Sequence, residues 1–269
     1  MRPDITLPAV ADMGGVGEPG VPGGPGARGH AAAAGGAARP AAASPVPRRV
    51  LVVNPNTNPA VTALVAQACS PFSSANLRFD VVNPPQGPFS IENAAQREEA
   101  ERQVLALVAQ RRAVEHHDAY VTACFDDLAL QALRARMPEP VIGTCEAGIA
   151  AARTLTPRFV IVTTVADAVP GIAVLMRRYG AGDLATVRAT GLGVAEAAAA
   201  GNQSLDRLVH TVRAAAREDG ARAVLLASGG LTGRAETLSR ATCLPVVDGV
   251  SAAIARAVFL LRRGGLTAG

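Results

Sequence analysis

Two residues in this chain stand where a proton could be moved. Cys124 closes the apolar run Tyr120 to Ala123, and Ser228 closes the run Val224 to Ala227. A thiol with an ordinary pKa near ~8.5 works as a base, an acid or a nucleophile once a helix N-terminus lowers it. A helical pattern opens directly after Cys124, so Asp126 and Asp127 read as its caps, with their carboxylates turned toward backbone amides. Free amides of Phe125, Asp126, Gly229 and Gly230 could hold an oxyanion or an enolate. The glycine pair would let a substrate approach the backbone closely. The same residue types also fit a buried structural cysteine, so the residues alone leave both readings open.

These two stretches are copies of one another. Val121-Thr-Ala-Cys-Phe-Asp-Asp127 and Leu225-Leu-Ala-Ser-Gly-Gly230 each join an apolar strand to a small polar residue and then a helix. Pro140-Val-Ile-Gly-Thr-Cys-Glu-Ala147 follows the first and Pro245-Val-Val-Asp-Gly-Val-Ser-Ala252 the second, at the same distance downstream to within one residue. Ser228 therefore occupies the place of Cys124.

The elements that must position them alternate. Strands are predicted at 50–53, 77–82, 120–123, 140–142, 159–162, 185–190, 224–227 and at Pro245. Between them run helices, one capped by Thr57 and ending near Ser70, one from about Ala94 to Glu115, and others reaching Met137, Tyr179 and Asp219. The last ends near Arg263. This order predicts an α/β fold of two pseudo-symmetric lobes, each a parallel sheet flanked by helices. Residues 48–157 with 249–269 form lobe 1, and 158–248 form lobe 2. Ligands of such sheets collect beyond the carboxyl ends of the strands, where Asn54, Cys124, Thr163 and Ser228 fall. The site is expected at the lobe interface.

Composition excludes other classes. The basic residues number 26, all of them arginine, and they give a net charge of only +4 because acids are interspersed. With aromatics at 3%, a nucleic-acid surface is not expected. No apolar run reaches the roughly 18 residues of a membrane span. Cys69, Cys124, Cys145 and Cys243 show no metal-ligand spacing and read as free thiols, with Cys69 and Cys243 in the core. His116 and His117 read as a solvated helix end, and no metal is expected. Residues 1–47, rich in Gly, Pro and Ala, read as a disordered tail without a secretory apolar core, which implies a cytoplasmic protein.

Asn54-Pro-Asn-Thr57, Cys124-Phe-Asp-Asp127, Gly229-Gly230 and Pro245-Val-Val-Asp-Gly249, in that order, resemble the aspartate/glutamate/hydantoin racemase superfamily over about residues 48–265, its hydantoin and allantoin racemase branch above all. The resemblance implies a cofactor-independent, homo-oligomeric isomerase of small molecules, with one cysteine from each lobe facing the substrate alpha-carbon from opposite sides. Cys124 matches the first. The second stands at Ser228, whose hydroxyl is a far weaker acid but can still donate a hydrogen bond. By the same resemblance Asn54, Asn56, Thr57, Phe125, Asp126, Thr163, Thr164, Gly229 and Gly230 would bind substrate, an amide or ureide such as a 5-substituted hydantoin. Two alternatives stay open: a single-cysteine lyase similar to arylmalonate decarboxylases, whose lone cysteine belongs to the other lobe, and a non-catalytic small-ligand binder.

Overall fold

The computed structural model describes residues 46–199 and 201–264. The tail predicted over 1–47 lies outside the described residues apart from Val46 and Pro47. Eight short strands are β1 (Arg48–Val53), β2 (Leu77–Val82), β3 (Ala119–Thr122), β4 (Val141–Gly143), β5 (Phe159–Thr163), β6 (Ala185–Ala189), β7 (Val224–Leu226) and β8 (Val246–Asp248). The helices are α1 (Pro59–Cys69), α2 (Ala94–Val114), α3 (Leu130–Arg134), α4 (Thr144–Leu155), α5 (Val169–Arg178), α6 (Val194–Ala198), α7 (Asn202–Glu218), α8 (Ala235–Thr242) and α9 (Gly249–Gly264).

The strands form two four-stranded sheets in the orders β2-β1-β3-β4 and β6-β5-β7-β8, with every pairing parallel. Helices cover both faces, which is why Val50 to Val53 and Phe159 to Val162 are apolar without alternation and nearly free of solvent. In each sheet the chain reverses its direction of winding between the first and third strands. Parallel sheets hold ligands at such switch points, and here the strand ends deliver Asn54 and Cys124 in one sheet and Thr163 and Ser228 in the other.

The helix after each fourth strand crosses to the opposite sheet. Cys145, Ile149 and Ala152 of α4 pack with Phe159, Ile161 and Leu225 of the second sheet. Val250, Ala253, Ile254, Ala257 and Val258 of α9 pack with Val50, Val52 and Val121 of the first. Where α4 meets α9 the backbones are close: a Cβ on Gly148 would stand 3.4 Å from the Gly249 Cα. This exchange joins the halves and aligns the two switch points.

Several local expectations are corrected. No helix opens at Cys124; α3 starts only at Leu130, after Asp127 and Ala129 turn through the left-handed region (φ 48° and 60°). Asn58, not Thr57, caps α1, its Oδ1 accepting the Ala60 N–H at 2.9 Å. The single helix expected to end at Asp219 is two, α6 and α7, with Gly201 at the N-cap of the second. Cys243 is exposed, in the left-handed position that ends α8. His117 is fully buried rather than solvated, with its Nε2 2.9 Å from Asp80, while His116 is exposed. Asp80, Glu115 and His117 converge closely enough to hold a cation, but the Arg49 guanidinium pairs with both carboxylates and supplies the positive charge itself.

Because α9 closes the first sheet, deleting its central side chain should be costly. Ile254→Ala is expected to lower stability in urea unfolding by about 2–5 kcal/mol, the usual range for a fully buried aliphatic. Ala255→Ser, exposed on the same helix, should stay within about 0.5 kcal/mol of the parent.

Candidate active site

The loops at the two switch points enclose a cleft whose empty volume, open mouth included, is about 470 Å³. Lobe 1 contributes Pro55, Asn56, Ile91 and the turn from Ala123 to Asp126. The second half contributes Thr163, Thr164, Val165, Ala168, Ile172, Val194 and the turn from Ala227 to Gly229. Cys124 and Ser228 are both half-buried on this wall, at the ends of the equivalent strands β3 and β7.

The sequence-predicted residues fall into two groups. Asn56, Cys124, Phe125, Asp126, Thr163, Thr164, Ser228 and Gly229 line the cleft. Asn54, Thr57 and Gly230 do not. Asn54 is fully buried, its Nδ2 donating to Asn56 Oδ1 and Thr62 Oγ1 at 3.0 Å while its Oδ1 accepts the Asn56 N–H. It thereby fixes the loop that presents Asn56. The Thr57 N–H donates to the Pro88 carbonyl, tying that loop to the segment ending at Ile91. Gly230 allows a close approach, since a Cβ there would lie 2.5 Å from the Val194 carbonyl oxygen.

The polar groups left facing the cleft have definite roles available. Asn56 Oδ1 accepts from the Asn58 N–H and from Asn54, so its Nδ2 is the end free to donate to a ligand. Among the described residues no chain acceptor engages the N–H groups of Phe125 and Gly229, which suits them to a developing oxyanion. Thr164 Oγ1 donates to Ser228 Oγ at 3.4 Å, and Thr163 Oγ1 to the Ala227 carbonyl at 3.3 Å. Opposite the thiol, the second half thus offers a hydroxyl pair.

The environment of Cys124 departs from the expectation of a lowered thiol. Burial pushes it well above its ordinary value, and the Asp126 carboxylate adds to the rise; a hydrogen bond from the Asp126 N–H and the charge of Arg97 act the other way. Among the described residues no helix N-terminus offsets that burial, because α3 begins only at Leu130. Arg97, which the sequence places on the charged face of α2, reaches across instead. Its Nε lies 3.0 Å from Asp126 Oδ2 and its NH2 donates to the Asp167 carbonyl of the second half at 3.2 Å. Glu92 makes a second crossing by accepting the Val194 N–H at 2.9 Å. Nothing in the sequence pattern marked either residue, since both look like ordinary surface charges.

Behind the cleft, Asp127 caps the wrong helix by chain order and the right one in space. Its carboxylate accepts the N–H groups of Cys145 and Glu146 at the start of α4 and the Tyr179 hydroxyl at 2.8 Å. Burial raises Asp127 to about 6, with the Tyr179 hydroxyl and the two amides opposing that rise. Burial likewise pushes up Cys145, which is fully enclosed beside it.

Residues 50–257 match the family model described as Asp/Glu/Hydantoin racemase. The chain is 36% identical over 214 residues to a hydantoin racemase of Rhizobium meliloti, covering 79% of this chain and 88% of that one. It is 32% identical over 217 residues to a hydantoin racemase of Paenarthrobacter aurescens, covering 80% and 92%. The allantoin racemase from Klebsiella pneumoniae superposes with a TM-score of 0.76 at 31% identity, over 81% of this chain and 89% of that one.

The raised Asp127 makes a stability prediction with a definite sign. Between its unfolded pKa near ~3.9 and its folded value of about 6 the native state holds the extra proton. Its contribution is therefore largest below about pH 4 and falls as pH rises through 6, by roughly 3 kcal/mol at about 1.36 kcal/mol per unit. Urea unfolding of the parent and of Asp127→Asn from pH 4 to 7.5 should show the difference between them changing across this window and level above it.

Proposed function

Given that the chain belongs to the Asp/Glu/hydantoin racemase family and is an enzyme of racemase type, we propose that it moves a proton at the acidic alpha-carbon of a small uncharged amide or ureide ring, such as a 5-substituted hydantoin. The observation that carries this reading is the placement of Cys124 and Ser228 at equivalent strand ends on one cleft. The Cys124 thiolate takes the proton from one face. The enolate oxygen that forms is met by the Phe125 and Gly229 N–H groups and by Asn56 Nδ2, donors already in place before the reaction. Ser228, hydrogen-bonded to Thr164, returns a proton to the opposite face.

An uncharged substrate follows from the wall. Ile91, Val165, Ala168, Ile172 and Val194 give an apolar flank for a 5-substituent, and the charge of Asp126 is met by Arg97. Among the described residues of the wall there is no cation to hold a substrate carboxylate. That disfavours a free amino acid, and equally a lyase that needs a carboxylate to expel. The chemistry asked of the chain needs no bound cofactor, and residence in the cytoplasm and a homo-oligomeric state complete the proposal.

A hydroxyl supplies a proton less readily than a thiol, so the two faces should differ. Each enantiomer of a 5-substituted hydantoin, incubated separately in heavy water, should be followed by NMR and by chiral chromatography. The expected result is Cys124-dependent deuterium exchange that is much faster for one enantiomer than for the other, with inversion slower than exchange. Exchange that persists in Cys124→Ala, or no exchange at all, would remove this reading.

A further inference from the structure

We propose that Arg97 is a positioning residue that keeps the Asp126 carboxylate from opposing ionisation of Cys124, so that the thiol is usable only while this ion pair is intact. The proposal rests on the role given to Cys124 above. It starts from geometry. Asp126 lines the cleft two residues after the cysteine, and its carboxylate is held 3.0 Å from Arg97 Nε. Both partners are largely shielded, with side chains 21% and 15% exposed, so their charges are weakly screened and act on a neighbouring thiolate more strongly than surface charges would.

The other charged and titratable groups around the thiol are already committed. Asp127 faces the α4 amides and Tyr179. Glu146 of α4 pairs with Arg134 at 2.6 Å, and Glu92 binds the Val194 N–H. Cys145 is buried in the second core and its neutral form is favoured there. Of the groups that act on Cys124, Asp126 and Asp127 raise the thiol and Arg97 is the cation that lowers it. Losing the guanidinium would leave a bare carboxylate beside a sulfur that must become an anion.

Arg97 also bonds the Asp167 carbonyl across the cleft, so a mere clasp between the halves is the competing explanation. Site-resolved alkylation of Cys124 by iodoacetamide, read by peptide mass spectrometry from pH 7 to 9.5, separates the two without any substrate. An opposite charge within about 4–6 Å shifts a pKa by about a unit, which is about tenfold in thiolate. Arg97→Met should therefore slow Cys124 alkylation severalfold, up to about tenfold, at a given pH, and Arg97→Lys should keep most of the rate. Asp126→Asn should speed alkylation, and in that background Arg97→Met should have a clearly smaller effect than in the parent.

An unchanged rate in Arg97→Met overturns the proposal. So does an equal loss with and without Asp126, since a clasp acts whatever the charge at 126. If Arg97→Met does not fold, Asp126→Asn alone decides: faster alkylation supports the proposal and unchanged alkylation contradicts it. Because alkylation does not depend on turnover, its outcome stays separable from heavy-water exchange of a hydantoin.

Discussion

The buried carboxylate of Asp127 is the group on which the rest of the site depends. It accepts two amides at the start of α4 and the hydroxyl of Tyr179, so one side chain joins the turn after β3, the helix that crosses to the second sheet, and the end of α5. The geometry leaves no slack: a Cβ on Gly143 would stand 2.5 Å from Asp127 Oδ1, so the fourth strand must end in glycine for the carboxylate to fit. Satisfying that carboxylate draws Asp127 into the left-handed region and delays α3, which in turn leaves Cys124 on an open turn rather than at a helix start. Cys124 faces the cleft because Asp127 is committed elsewhere.

The second half solves the same problem differently. Asp248 lies at the end of β8 and accepts the Gly233 and Ser251 N–H groups, capping α9 from within its own connection. The pseudo-symmetry is therefore one of strands and crossings, not of side chains. The difference between the halves extends to the chemistry, with a thiol on one side of the cleft and a hydroxyl pair on the other. Such a cleft has two chemically unequal faces.

The strands were legible in the sequence because strands covered on both faces must be continuous apolar runs, and the eight runs are separated by helical segments; their order in each sheet came from the structure. Helix starts were less so. The cap of α4 comes from a residue distant in the chain, and no local pattern reveals that Asp127 serves a helix beginning at Thr144 rather than its own. Asn54 and Asn56 look alike in Asn-Pro-Asn-Thr, yet one is consumed in holding the loop and the other faces the cleft. Arg97 sits among other charges on a long helix, and only its contacts with Asp126 and the Asp167 carbonyl single it out. His117 and Cys243 were misjudged for the same reason, since burial at a helix end is decided by which element lies opposite.

The central claim is that the missing second thiol, and nothing else in the cleft, limits proton delivery to the face opposite Cys124. The most direct measurement is the inversion rate of an enantiopure 5-substituted hydantoin, followed by chiral chromatography, for the parent protein and for Ser228→Cys. The account predicts a gain of about tenfold or more in inversion, with exchange at the Cys124 face unchanged. Inversion that stays at the parent rate while the protein remains folded would contradict it.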